Sequence, residues 1–245
     1  MKEEIPKTFQ GLPVVSAGAM RLLDQAAVSK FKIPDLQLME NAGSAVARRT
    51  LEFLQGPLGK TAAESIVVVC CGRGANGGDG LVAGRYLKEA GVSVRVFLCG
   101  PRKDGGYPEI VAANLERLKG LGVVPAAADD QEALAAALRE ADVVLDALLG
   151  TGASGKPAGT VKNVIQAMNR AKKPVLAVDI PSGIHPDTGY HSGVFVTAFA
   201  TLTLGLPKKG LLAPHAKKYV GGLEVLDIGY PPDLVREVAL AQDRP

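Results

Sequence analysis

Apolar residues recur along this chain in two rhythms, and the change from one to the other divides it. Met20, Leu23, Ala27 and Phe31 follow Ser16 at steps of three or four, so an amphipathic helix is predicted over 17–31 with Ser16 as its N-cap. After Pro34 the same spacing returns in Leu36, Met39, Ala42, Val46 and Leu51, until Gly56 and Pro57 stop a second helix. From Ser65 onward the pattern becomes a short apolar run, a glycine turn and a helical segment, repeated several times. Strands are predicted at 66–71, 92–98, 143–148, 175–178, 196–204 and 223–227, with helices at 79–90, 109–121, 132–140 and 156–171. Alternation of this kind joins parallel strands through right-handed crossovers. The expected fold is therefore α/β: a three-layer αβα Rossmann-like domain with a mostly parallel sheet, helices on both faces and an N-terminal helical preface. The Pro- and Gly-rich stretch 100–108 is expected to be a loop within it, and 242–245 a frayed end.

Composition narrows the class. With 245 residues, 47% hydrophobic and 22% charged, the chain can bury one substantial core, and one domain over 1–245 is the expectation. The longest apolar runs, 65–71 and 175–178, fall far short of the ~20 residues that cross a membrane. The first ten residues mix Lys2, Glu3, Glu4 and Lys7 with no signal-like apolar stretch, so a cytoplasmic protein is expected. A net charge of +3 with scattered basic pairs and 4% aromatics is too thin for a nucleic-acid surface, although it suits a phosphate-bearing small molecule. Cys70, Cys71 and Cys99 are odd in number and form no C-x-x-C pair; they are expected to be small buried residues.

In a parallel sheet, ligands bind beyond the carboxyl ends of the strands, so the turns there are the candidate chemistry. The first turn contains Gly72, Gly74, Ala75, Asn76, Gly77, Gly78, Asp79 and Gly80, and its glycines are expected to supply positive φ and close approach to a ligand. Gly72, Gly74 and Gly77 satisfy G-x-G-x-x-G, but the next strand ends at Leu98-Cys99-Gly100 without the acid that would hold a ribose, which counts against a dehydrogenase. The second turn runs through Asp146, Gly150, Thr151, Gly152, Ala153, Ser154, Gly155 and Lys156. It nearly spells a Walker A loop, but Pro157 stands where Ser or Thr would hold Mg²⁺, so a phosphate-holding loop is expected rather than an NTPase. In the third turn Pro181 and Gly183 make a rigid exit that aims Asp179 and Ser182 into the crevice. Asn76, Asp146 and Ser182 offer only hard oxygen ligands with a single carboxylate, a set that suits a monovalent cation completed by backbone carbonyls. His185, His191 and His215 lack metal-ligand spacing and are expected in loops or at the surface.

These three ordered turns, together with the helical segment Leu38-Met39-Glu40-Asn41-Ala42-Gly43, resemble the NAD(P)H-hydrate epimerases over roughly residues 16–227. The resemblance implies an isomerase, dimeric as a rule, that interconverts the R and S hydrates of NADH and NADPH with one bound potassium ion per subunit. It places substrate contacts on Ala75, Asn76, Gly77, Gly78 and Asp79, on Gly150, Thr151, Gly152, Ala153, Ser154, Gly155 and Lys156, and on Asp179. It places the potassium ligands on Asn76, Asp146 and Ser182. Ala75 departs from the family's usual Asn, and the sequence ends before any dehydratase domain of the fused kind, so a separate NAD(P)H-hydrate dehydratase is expected to complete the repair. Asp179 is expected to move the proton at the hydroxylated ring carbon, with Asp79 in reserve. A non-catalytic binding module of the same fold is the rival, and the joint presence of Asn76, Asp146, Asp179 and Ser182 speaks for catalysis.

Overall fold

The structure, a computed structural model, describes residues 4–101 and 105–242. The middle of the 100–108 loop, the chain end 243–245 and the first three residues of the charged N-terminus lie outside the described residues.

Ile66–Cys71 forms β3, after a short hairpin of β1 (Thr8–Phe9) and β2 (Leu12–Pro13) that the hydrophobic pattern did not announce. The other strands are β4 (Ser93–Leu98), β5 (Ala126–Ala127), β6 (Val143–Ala147), β7 (Val175–Val178), β8 (Ala200–Leu204) and β9 (Gly222–Leu226). These seven form one sheet in the order β5-β4-β3-β6-β7-β8-β9, and every pairing is parallel. Counted from its first strand the order is 3-2-1-4-5-6-7, the doubly wound arrangement whose direction reverses between β3 and β6.

The sheet is buried on both sides, which is why its strands read as unbroken Val- and Leu-rich runs rather than alternating ones. Val67, Val69 and Cys71 face a core shared with α1 (Ala17–Ser29), α2 (Asp35–Gln55), α3 (Ala75–Glu89), α4 (Glu109–Gly120) and α8 (Pro232–Gln242). Val68 and Cys70 face the opposite core, built with α5 (Gln131–Glu140) and α6 (Gly159–Ala171). A short helix, α7 (Lys217–Val220), precedes β9. The fold is thus the expected three-layer Rossmann-like one, with α1 and α2 as its helical preface; Ser16 caps α1 by accepting from the Ala19 amide at 3.1 Å. Cys70, Cys71 and Cys99 are all buried and unpaired, and burial pushes the Cys99 thiol up to about 11.

Three expected boundaries shift by three residues or more. The strand predicted over 196–204 is regular only from Ala200, because Val196 and Ala198 donate instead to the carbonyls of Ser182 and Tyr219. Helix α6 begins at Gly159, three residues beyond Lys156. Helix α3 begins at Ala75 rather than Asp79, so Asn76 to Gly80 are helical and none of Gly72, Gly74, Gly77, Gly78 or Gly80 has positive φ. Gly72, Gly77, Gly78 and Gly80 serve packing. A Cβ on Gly72 would overlap the Leu148 carbonyl, one on Gly77 would overlap the Gly72 carbonyl, and one on Gly80 would sit 2.5 Å from Ala147 Cβ and 2.9 Å from Cys71 Sγ. The first turns of α3 therefore lie directly on β3 and β6 and bring Asn76 and Asp79 to the switch point. Gly80→Ala is expected to lower stability by about 1–3 kcal/mol through overpacking; urea unfolding checks this, and an unchanged midpoint would show that the contact is not tight.

Candidate active site

The order in which strands are added reverses between the parallel strands β3 and β6, so the turns that leave them open a crevice between them. They are joined at its floor, where the Gly72 amide donates to the Ala147 carbonyl at 2.8 Å. Into this place α3 delivers Asn76 and Asp79, the exit of β6 delivers Asp146, Gly150 and Thr151, and the exit of β7 delivers Asp179 and Ser182.

Asp179 sits in a backbone conformation with φ of 69°, uncommon for a residue with a side chain and characteristic of functional turns. Its Oδ2 accepts from the Thr151 amide at 2.7 Å and from Thr151 Oγ1 at 2.6 Å, and its Oδ1 meets Lys208 Nζ at 2.6 Å. Burial works to raise the pKa of this carboxyl, but the Lys208 charge and the hydrogen bonds from Lys208 and Thr151 outweigh it and hold the group below the ordinary Asp value. Gly150 lies against it: a Cβ there would stand 2.9 Å from Asp179 Oδ2 and 3.1 Å from Asn76 Cβ, so only glycine lets these two side chains approach the same turn.

Asp146, wholly buried, accepts from the Ser182 amide at 2.8 Å, from Ser182 Oγ at 2.6 Å and from the Leu148 amide at 3.3 Å. The Leu149 amide in turn donates to Ser182 Oγ at 2.9 Å, tying the two strand exits together. Burial lifts the Asp146 pKa to about 6 against those hydrogen bonds. Among the described residues no cationic side chain pairs with it. Asn76, at the second position of α3, keeps both Oδ1 and Nδ2 buried with no hydrogen-bond partner. A buried, unpaired amide carries a cost of about 1–3 kcal/mol, so an unmet donor and acceptor that share the Gly150 turn with the Asp179 carboxylate mark a place prepared for a ligand.

Asp79 completes the site. It is buried, its carboxyl has no hydrogen-bond partner among the described residues, and burial, then the charges of Asp179 and Asp24, push its pKa well above the ordinary value. Two carboxyls of contrasting character therefore share one crevice, one locked as an anion and one disposed to hold a proton.

Of the residues the sequence singled out, Asn76, Asp79, Asp146, Gly150, Thr151, Asp179 and Ser182 come together here. Gly77 and Gly78 lie just beneath, packed against Gly72 and Met39. Ala75 is exposed at the first position of α3, and Gly152, Ala153, Ser154, Gly155 and Lys156 are exposed in the loop before α6. That loop does not lead straight into its helix as a Walker A loop does, in keeping with the expectation that it is not an NTPase loop. His185 and His215 are exposed and His191 half-buried, all outside strands and α-helices, as expected. Lys208 is a site residue that the sequence reading missed, because Lys208-Lys209 looked like one more basic surface pair. The available signal was its place in a turn after β8, on the same edge of the sheet.

A doubly wound domain with two carboxyls and an unpartnered buried amide at its switch point defines a small-molecule site of the nucleotide-binding α/β class. The sequence profile described as "YjeF-related protein N-terminus" matches residues 35–210, and the chain belongs to this family. It is 36% identical to an NAD(P)H-hydrate epimerase of Elusimicrobium minutum, over 93% of this chain and 100% of that protein, and 39% identical to one of Pirellula staleyi, over 89% and 93%. It is also 40% identical to the bifunctional NAD(P)H-hydrate repair enzyme Nnr of Thermofilum pendens; the match takes in 94% of this chain but 42% of that relative's length. A crystal structure of the yeast protein ynu0 superimposes with a TM-score of 0.79 at 26% identity, covering 93% of both chains. No helix among the described residues is long and apolar enough to cross a membrane.

Proposed function

We propose that this chain is an isomerase that interconverts the R and S hydrates of NADH and NADPH, the activity carried in the names of the relatives that it matches from end to end. The observation that carries this reading is the pairing at the switch point of an anchored anion, Asp179, with an unpartnered carboxyl, Asp79.

The hydrated nicotinamide ring bears a hydroxyl on the carbon beside the ring nitrogen. When the C–O bond breaks, both electrons leave with oxygen, the nitrogen lone pair forms the C=N bond and the ring becomes cationic. A carboxylate held anionic by Lys208 and Thr151 suits the stabilisation of that positive charge, and a carboxyl that keeps its proton suits protonation of the departing hydroxyl, which leaves as water. Water then adds to the opposite face and returns its proton to Asp79. No electrons are gained or lost overall. The geometry thus supports dividing between two groups the work that the sequence reading gave to Asp179 with Asp79 in reserve.

The residues around Asp146 fit a potassium ion: an unpaired buried Asn76 oxygen, a buried carboxylate without a cation, and the Ser182 hydroxyl. When bound, the ion would supply the positive charge that the buried Asp146 lacks and favour an anionic pyrophosphate nearby. Exposed Lys156 and the glycine-rich loop before α6 would receive the same phosphates. A homodimer, a cytoplasmic setting and a separate dehydratase belong to the same reading. The bifunctional name of relatives such as the T. pendens enzyme supports the coupling to a second repair activity.

The test is a stereoisomer-resolved chromatographic assay on a sample enriched in the R hydrate. Conversion to the equilibrium mixture is expected, with turnover at least about tenfold faster in potassium than in a large organic cation of equal ionic strength, a difference of about 1.4 kcal/mol in barrier. An unchanged isomer ratio would leave a non-catalytic binding module as the function.

A further inference from the structure

Behind the carboxylate of Asp179 stands a lysine that no glycine turn marks. Lys208 follows Pro207 in the connection from β8 to β9, its residue is 1% exposed, and it heads the largest wholly buried side chains. An ammonium has three N–H donors, and here there are three acceptors: Asp179 Oδ1 at 2.6 Å, the Leu204 carbonyl at 2.6 Å and Thr203 Oγ1 at 3.0 Å. With its donors occupied and no surface open, the side chain has nothing left with which to touch a substrate. Packing does not explain it either, since burying an ammonium is costly unless it is paired.

The surroundings indicate what it is for. Asp179, Asp79 and Asp24 all sense the Lys208 charge, and they arrive from the β7 exit, α3 and α1. Tyr230, beyond β9, donates its hydroxyl to Asp24, and burial and then the charge of Asp24 raise its pKa. One ammonium thus faces three carboxyls, and it makes its ion pair with one of them, Asp179. Its own place is fixed from both sides, for the Val15 amide donates to the Pro207 carbonyl and the Lys209 amide to the Val15 carbonyl, each at 2.9 Å. The N-terminal segment ahead of α1 therefore clamps the turn that carries the lysine.

We propose that Lys208 is a positioning residue for the hydrate interconversion, acting through Asp179: it turns that carboxylate toward the Gly150–Thr151 turn and keeps its negative charge available to the ring cation. The proposal rests on the epimerase reading above. It accounts for a buried ion pair at the switch point, for the side-chain-bearing residue at φ of 69° that the pair restrains, and for the stitching of Val15 onto the Lys208 turn.

The experiment measures turnover per binding site in wild type, Lys208→Met and Lys208→Gln, counting sites by calorimetric titration with the cofactor hydrate. Methionine keeps the length and removes the charge. Glutamine removes the charge but can still donate to Leu204 and Thr203. The expected result is a fall of about 100-fold in kcat per site in both variants, with KM within about threefold of wild type, because a purely structural defect would remove sites without slowing those that remain. The double variant Lys208→Met/Asp179→Asn is expected to unfold later than Lys208→Met, since it buries neither charge alone. Undiminished turnover per site in either variant overturns the proposal. So does the loss of every binding site in both, which would make Lys208 a strut of the fold. Wild-type protein that leaves the hydrate unconverted would instead remove the epimerase reading, and the two failures are thus told apart before any variant is made.

Discussion

Asp179→Asn is expected to lower R-to-S interconversion by about 10³-fold or more while binding of the cofactor hydrate stays measurable. Removing one preorganised electrostatic contact to a transition state costs about 10²–10³ in rate, and here the substitution removes the charge itself. Asparagine keeps the size and one acceptor oxygen, so the Gly150 turn can still close, but its NH₂ faces either the Thr151 donors or the Lys208 ammonium. The buried lysine then lacks its anion, and breaking a buried pair from one side costs about 3–5 kcal/mol of stability. Turnover corrected for the folded fraction is the quantity to compare. A variant as fast as wild type would show that the carboxylate faces away from the reacting carbon.

Asp146→Ala is expected to have the largest effect on stability of any substitution within the site. Three donors, the Ser182 amide, the Ser182 hydroxyl and the Leu148 amide, lose their acceptor at once in a wholly buried place. At about 1–3 kcal/mol for each orphaned group the loss is roughly 3–9 kcal/mol, comparable to the whole stability of many domains. Chemical denaturation checks it. Asp146→Asn keeps one acceptor oxygen, so it is expected to lose less stability than Asp146→Ala and remain folded, but to lose any response of its melting temperature to potassium. A potassium-dependent shift of wild-type size in Asp146→Asn would place the cation elsewhere.

Much of this site was legible in the sequence because its parts are local. A strand buried on both faces reads as an unbroken apolar run, so 66–71 and 175–178 matched the structure to the residue. Residues at or just beyond the ends of such runs must lie at the carboxyl edge, so the sequence alone places Asn76, Asp146, Asp179 and Ser182 on one side of the sheet. The glycines of the first turn were legible as exceptional but not for the right reason. Periodicity cannot show that Gly72 abuts Leu148 or that Gly80 abuts Ala147, because those neighbours belong to another strand.

Lys208 shows the same limit from the other side. Its sequence neighbours are Pro207 and Lys209, and nothing in that local pattern separates a solvated lysine from a buried one. The residue becomes part of the site because β7 and β8 are adjacent and parallel, so the turns that leave them rise side by side. The sequence by itself determined the layers, the strands, the edge where chemistry occurs and the order of its polar residues, since each is written in spacing along the chain. Tertiary structure alone decided which carboxylate is locked and which is left unpartnered, since charge and burial depend on neighbours brought together across the sheet by register and crossover.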